Sequence, residues 1–132
     1  MNILVVDDEV DQRILTQCLL EEWGYDVQTA SNGKEALELA RQRFPDVVLI
    51  DLNMPVMNGF EATRQLRLLP QMTNAHIIAV SAYLHNNQEW CDRASAAGCD
   101  KSLGKPVDLN VLRNELLQVD AARHIRKVQV WR

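Results

Sequence analysis

Aromatic side chains are scarce in this 132-residue sequence: three Trp, two Tyr and two Phe. Any core must therefore be filled mostly by aliphatic residues. With 47% hydrophobic residues there is enough material for one domain, and the chain is too short for two ordinary ones. A basic excess is also missing. The formal net charge is −4, which offers no electrostatic footprint for nucleic acid. Cysteines are few. Cys18, Cys91 and Cys99 are odd in number and form no C-x-x-C pair, which argues against a disulfide framework and for reduced thiols in a cytoplasm. Cys18 and Cys91 fall at helical core spacings and read as small buried hydrophobes. No run reaches the roughly 18 consecutive apolar residues of a membrane span. The opening Met-Asn-Ile-Leu-Val-Val-Asp-Asp-Glu has no basic leader and turns acidic at once, unlike a signal peptide.

What the sequence does have is alternation. Short apolar runs at residues 3–6 (rich in β-branched residues), 47–51 and 76–81, an alternating stretch at 26–30 that reads as a strand at or near an edge, and a short, weaker segment at 100–105 predict strands. Amphipathic stretches lie between and after them. The first, 10–23, carries a stripe of Ile14, Leu15, Cys18 and Leu19 and stops at Gly24. The second starts at a capping Asn32, with Glu35 placed for a capping box, presents Ala36, Leu37, Ala40 and Phe44, and ends at Pro45. A loop with Pro55 and Asn58-Gly59 leads to the third, with Phe60, Ala62, Leu66 and Leu69, closed by Pro70. The fourth spans 86–97 with Trp90, Cys91, Ala94 and Ala97 on one side, and the fifth follows a capping Asp108 with Leu109, Leu112, Leu116 and Val119. Five strand–helix repeats call for an α/β fold, a doubly wound parallel sheet covered on both faces. The domain is placed at residues 1–119. Residues 120–132 form a C-terminal tail, read as a helix extension, in which Ile125 and Val128 continue an apolar stripe, or as a short strand at Val-Gln-Val-Trp; either could be a contact segment.

In a parallel sheet all strand carboxyl ends point the same way, and ligands bind just outside them. The first strand delivers Asp7 and Asp8 there, the third Asp51 with Asn53 two residues on, the fourth Ser81 and the fifth Lys105. Alone, Asp7 or Asp8 would be an ordinary helix cap. Together the carboxylates repel: two unit charges about 4 Å apart cost roughly 4 kcal/mol at an effective dielectric near 20. A divalent cation offsets that. Oxygen donors without His or Cys suit Mg²⁺, with Mn²⁺ as an alternative, rather than zinc. An amine and a hydroxyl at the same rim can hold phosphoryl oxygens, and aspartate is a known nucleophile toward phosphorus. Asp51 thus reads as a carboxylate held still to receive a phosphoryl group.

Four motifs in order, Val-Val-Asp-Asp-Glu at the start, Val47 to Glu61 (VVLIDLNMPVMNGFE), Val-Ser-Ala at 80–82, and Ala-Ala-Gly-Cys-Asp-Lys-Ser-Leu-Gly-Lys-Pro at 96–106, resemble the receiver domain of two-component response regulators over about residues 2–119. The resemblance implies a flavodoxin-like (βα)5 fold with strand order 2-1-3-4-5. It implies that Asp51 is the phosphoacceptor, that Asp8 and Asp51 bind Mg²⁺ directly and Asp7 through water, that Asn53 offers its backbone carbonyl, that Lys105 contacts the phosphoryl group and that Ser81 swings toward it. A cis Lys105–Pro106 bond follows from the same likeness. So do a histidine kinase or histidine phosphotransfer protein as donor, and an effector on the face of the fourth helix, fifth strand and fifth helix. A homodimer is compatible, and neither nucleic acid nor membrane is an expected partner. Such a protein catalyses only its own phosphoryl transfer and autodephosphorylation. One departure stands out: the family usually has an aromatic residue three positions before the lysine, and this sequence has Ser102. Two competing readings are an aspartate-nucleophile phosphatase, which would want an acid where Asn53 stands, and an interaction module that never takes phosphate.

Overall fold

The runs at residues 2–6, 47–51 and 76–81 fold as strands buried on both faces, and those at 26–30 and 101–104 as partly exposed strands. A computed structural model describes the backbone of residues 1–54 and 56–130 and the side chains as far as residue 125. Strands β1 (Asn2–Val6), β2 (Asp26–Ala30), β3 (Val47–Asp51), β4 (His76–Ser81) and β5 (Lys101–Gly104) pair in parallel in the order β2-β1-β3-β4-β5. Helices α1 (Val10–Glu22), α2 (Gly33–Gln42), α3 (Gly59–Arg67), α4 (Gln88–Ala97) and α5 (Leu109–Val130) complete the alternation. Successive residues of the central strands serve opposite layers. Leu4, Val6, Val48 and Ile50 pack with Ala36, Ala62 and Leu66 of α2 and α3. Ile3, Val5, Val47 and Leu49 pack with Leu20 of α1 and Leu112 and Leu116 of α5. The sheet is doubly wound, as the alternation predicts.

Side-chain caps set the helix starts. Asn32 Oδ1 accepts from the Glu35 N–H at 2.9 Å, Asn58 Oδ1 from Glu61 at 3.0 Å, Asn87 Oδ1 from Trp90 at 3.2 Å and Asp108 Oδ1 from Asn110 at 2.9 Å. The Glu35 carboxylate accepts from Ser31 Oγ at 2.8 Å instead of closing a capping box. The fourth helix begins at Gln88 rather than at residue 86, because Asn86 is left-handed (φ 50°) and Asn87 caps.

Several sequence expectations are corrected. In α1 the period is right and the phase is wrong. Leu20 is the fully buried residue, while Ile14, Leu15 and Cys18 are exposed. One and two turns before Leu20, the same line carries Thr16 and Gln12, half-buried and exposed, so it offers the core no second apolar side chain. Cys91 is half-buried, and Cys99 is the buried thiol. Phe44 lies past the end of α2 and is exposed, and α2 ends before Arg43, not at Pro45. Helix α3 ends at Arg67, and Pro70 opens a 3-10 turn, Pro70–Met72, rather than closing the helix. The fifth strand is shorter than expected, and Leu109 is half exposed. Helix α5 runs unbroken through Val130, while Ile125 is exposed. The expectations on Pro55 and Trp131, and on the Val128 side chain, lie outside the described residues.

Arg67 ties three connections together. Its Nε donates to the Gly98 carbonyl at 2.9 Å, its Nη1 to the Met72 and Ala75 carbonyls, both at 2.8 Å, and its Nη2 to Asp100 Oδ2 at 2.7 Å. Asp100 in turn accepts from the Ile77 N–H at 2.9 Å, at the start of β4. Charge-assisted hydrogen bonds are the stronger kind, and their loss leaves acceptors unpaired. Arg67→Ala is expected to lower the unfolding free energy by about 1.5–3 kcal/mol, read as a lower urea midpoint with an unchanged slope.

Candidate functional site

The register of the sheet builds the site. Val6 pairs with Ile50, so β1 and β3 end side by side and bring Asp7 and Asp8 to Asp51. Each of the three offers a carboxylate oxygen within 4.8 Å of the others. Asp7 and Asp51 are buried, and Asp8 is exposed. At the other side, β4 and β5 bring Ser81 and Gly104 into register, and Lys105 follows immediately. Lys105 Nζ lies 3.0 Å from Asp51 Oδ2 and 3.6 Å from Asp7 Oδ2. The Lys105–Pro106 peptide bond is cis. The convergence expected from the strand ends is therefore present for Asp7, Asp8, Asp51 and Lys105.

Backbone donors hold the acids in place. The Asn53 N–H donates to Asp51 Oδ1 at 2.9 Å, and the Glu9 N–H to Asp7 Oδ1 at 2.9 Å. Arg13 Nη1 donates to the Asp7 carbonyl at 2.9 Å. The Asn53 residue is exposed, at the open side of the rim. Ser81 is buried, and its Oγ accepts from the Tyr83 N–H at 3.1 Å, so the hydroxyl is engaged within its own loop. Tyr83 stacks on Trp90 (centroids 5.0 Å apart), and Trp90 meets Phe60 at 5.2 Å. Ser102, half-buried on β5 opposite Ala79, stands where the family usually has its aromatic residue.

Burial dominates the electrostatics of Asp7. It pushes the carboxyl above its ordinary value of 3.8, and the Asp51 and Asp8 charges push the same way; the Glu9 N–H and Lys105 only partly oppose them. Burial pulls Lys105 down, but its bonds and charge pairs with Asp51 and Asp7 outweigh that and leave the amine above its usual range. The folded state thus binds the Asp7 proton more tightly than the unfolded state does. This contribution favours folding below the unfolded value and is lost as pH rises through the folded one. Asp7→Asn is expected to raise the melting temperature by a few degrees at pH 7 in chelator, and to give no gain near pH 3.

The donor set fits a hard cation. Three carboxylate oxygens and no His or Cys match Mg²⁺, and the exposed Asp8 gives a route in from solvent. A cleft of about 730 Å³ between α1 and α5, lined by Gln12, Leu15, Thr16, Leu109 and Leu112, opens onto Asp51 and Lys105. Two participants were not legible in the sequence. Arg13 sits six residues from the acid it steadies, and His85, whose Nε2 lies 2.7 Å from the Lys105 carbonyl oxygen, is twenty residues from its partner. Neither spacing carries a recognisable pattern.

Residues 3–117 match the response regulator receiver domain family. Protein PilH of Pseudomonas aeruginosa is 39% identical over 83% of this chain and 89% of its own length. The sensor protein EvgS of Escherichia coli is 34% identical over 95% of this chain, which spans only 10% of EvgS. Among solved structures, the receiver domain of the sensor histidine kinase PA1611 of Pseudomonas aeruginosa, with magnesium coordinated in its active-site cleft, is 29% identical (TM-score 0.79; 89% of this chain, 94% of that one). The receiver domain of Ssk1 of Saccharomyces cerevisiae, in complex with the histidine phosphotransfer protein Ypd1, is 27% identical (TM-score 0.79; 87% and 85%). With its site geometry, strand order and 3–117 match agreeing, the chain belongs to the response regulator receiver domain family, the phosphorylation-dependent switches of two-component signalling.

Proposed function

We propose that Asp51 is the phosphoacceptor of this switch, with Asp7, Asp8, Asp51 and the Asn53 carbonyl as the Mg²⁺ site and Lys105 and Ser81 as its phosphoryl contacts. The observation that carries the reading is the Asp51 carboxylate, fixed at one oxygen by the Asn53 N–H and at the other by Lys105, beside two further acids. The Asp51 carboxylate attacks phosphorus, a P–O bond forms as the donor's P–N bond breaks, and the imidazole leaves with the electron pair. Lys105 meets the charge that develops on the phosphoryl oxygens. When bound, Mg²⁺ would neutralise charge on the acids and on the transferring group; Mn²⁺ has the same ligand preferences.

The phosphoryl group adds about 1.5 to 2 negative charges at the rim. The Ser81 hydroxyl exchanges the Tyr83 N–H for a phosphoryl oxygen, and the loop and α4 move between two arrangements. A complete switch needs roughly 5.5 kcal/mol of differential stabilisation. With Ser102 in place of an aromatic rotor, the shift is partial. Autodephosphorylation by water ends the signal.

The donor is a histidine kinase or a histidine phosphotransfer protein. The exposed Val10, Ile14 and Leu15 of α1, beside the cleft that leads to Asp51, give it an apolar landing face. The effector takes the α4-β5-α5 face, where a homodimer would also form. The receiver unit is residues 1–119, with 120–132 a contact segment whose residues 120–130 continue α5. Among the described residues no helix is long and apolar enough to cross a membrane, and a cytoplasmic location suits the free thiols.

Incubation with acetyl phosphate and Mg²⁺ tests the reading. A switch gains roughly 80 Da and loses it slowly. Turnover of an external phosphate ester would instead favour a phosphatase, and neither response would leave an inert interaction module.

A further inference from the structure

We propose that His85 is a positioning residue for phosphoryl transfer, fixing Lys105 by holding its carbonyl, and that residue 104 is glycine to admit the His85 ring. The proposal rests on the reading of Lys105 as a phosphoryl contact. His85 ends the 3-10 turn Ala82–Leu84 that follows Ser81. Its Nε2 lies 2.7 Å from the Lys105 carbonyl oxygen. A carbonyl only accepts, so the proton is on Nε2. The other side of the same residue is held as well: the Lys105 N–H donates to the Ser81 carbonyl at 3.1 Å. The end of β4 and the turn that follows it therefore hold Lys105 at both of its peptide groups. The Lys105 side chain leaves from this clamped backbone to reach Asp51 and Asp7.

Gly104 supplies the second, independent observation. A Cβ at this position would fall 2.5 Å from His85 Cε1 and 2.6 Å from both ring nitrogens. Its backbone is not in the left-handed region, so conformational freedom does not explain the glycine. The ring does. His85 is exposed, and water can satisfy a carbonyl at such a surface, so the bond matters little for stability. Its consequence is where the lysine backbone stands, and a long flexible side chain gains precision only from a fixed root. The bond also joins the loop that carries Ser81 to the residue that meets the same phosphoryl group.

The test is the initial rate of phosphorylation by acetyl phosphate in Mg²⁺, followed by intact mass. His85→Ala is expected to slow it about threefold to tenfold, the size of one net hydrogen bond, with a melting temperature close to wild type. His85→Gln, whose amide can donate from a similar reach, restores most of the rate. Gly104→Ala slows the wild-type background to the same degree and adds nothing in the His85→Ala background. A wild-type rate in His85→Ala, a His85→Gln as slow as His85→Ala, or a Gly104→Ala effect of equal size in both backgrounds would overturn the proposal. Should Gly104→Ala fail to fold, the His85 pair decides alone. A wild-type protein that takes up no phosphoryl group would overturn the reading of the site itself, and the two failures are thereby told apart.

Discussion

Asp51→Asn is expected to abolish the phosphoryl mass gain altogether. The amide keeps the shape of the side chain and the bond from the Asn53 N–H, but it is no nucleophile toward phosphorus. The fold should survive, because Asp51 is buried beside Asp7 and the substitution removes a repulsion rather than a packing contact. Mg²⁺ affinity falls on the order of tenfold or more, at least the loss known for groups that only support a metal ligand. Titration of Mg²⁺ by calorimetry reads this directly. A full mass gain in Asp51→Asn would place the acceptor on another side chain and sink the assignment.

Gly59→Ala is expected to damage stability and function together. A Cβ there would fall 2.4 Å from the Asp51 carbonyl oxygen, 2.6 Å from Leu52 Cα and 3.0 Å from the Asp51 carbonyl carbon. All three are backbone atoms, and none can rotate aside. The Gly59 N–H also donates to the Leu52 carbonyl at 3.1 Å, so the start of α3 is pressed against the end of β3. Overpacking of this kind typically costs 1–3 kcal/mol, and with no yielding side chain we expect about 3 kcal/mol or more. The strand end that gives way is the one that carries Asp51, so phosphorylation by acetyl phosphate should slow by about tenfold or more, as misplacement by a fraction of an ångström does elsewhere. Wild-type stability and rate in Gly59→Ala would show that α3 can retreat without moving the site.

The sheet was legible because its information is local. β2, β3 and β4 follow the expected segments residue for residue, and Asp7 and Asp51 stand where the first and third strands stop. The caps at Asn32 and Asp108 were legible for the same reason, since cap and partner lie within three residues. Helix α1 was not. Its apolar residues have helical spacing, but spacing gives a period and leaves open which side meets the sheet; Leu20 decides that through contacts with β1 and β3 across the fold. The start of α4 was misplaced because the left-handed turn at Asn86 depends on the loop it closes. In the site, identities at the strand ends could be read, but their supports, Arg13 and His85, act across six and twenty residues with no motif to announce them.

The Tyr83–Trp90 stack gives the molecule an optical handle. Trp90 touches the ring that follows Ser81 on one side and Phe60 on the other, with the Arg93 guanidinium 5.5 Å from its centroid. Trp23 is far removed, at the end of α1 under Arg113. Of these two described indoles, rearrangement after Ser81 would change the surroundings of Trp90 and spare Trp23, so the state of the switch should be readable in the emission of Trp90.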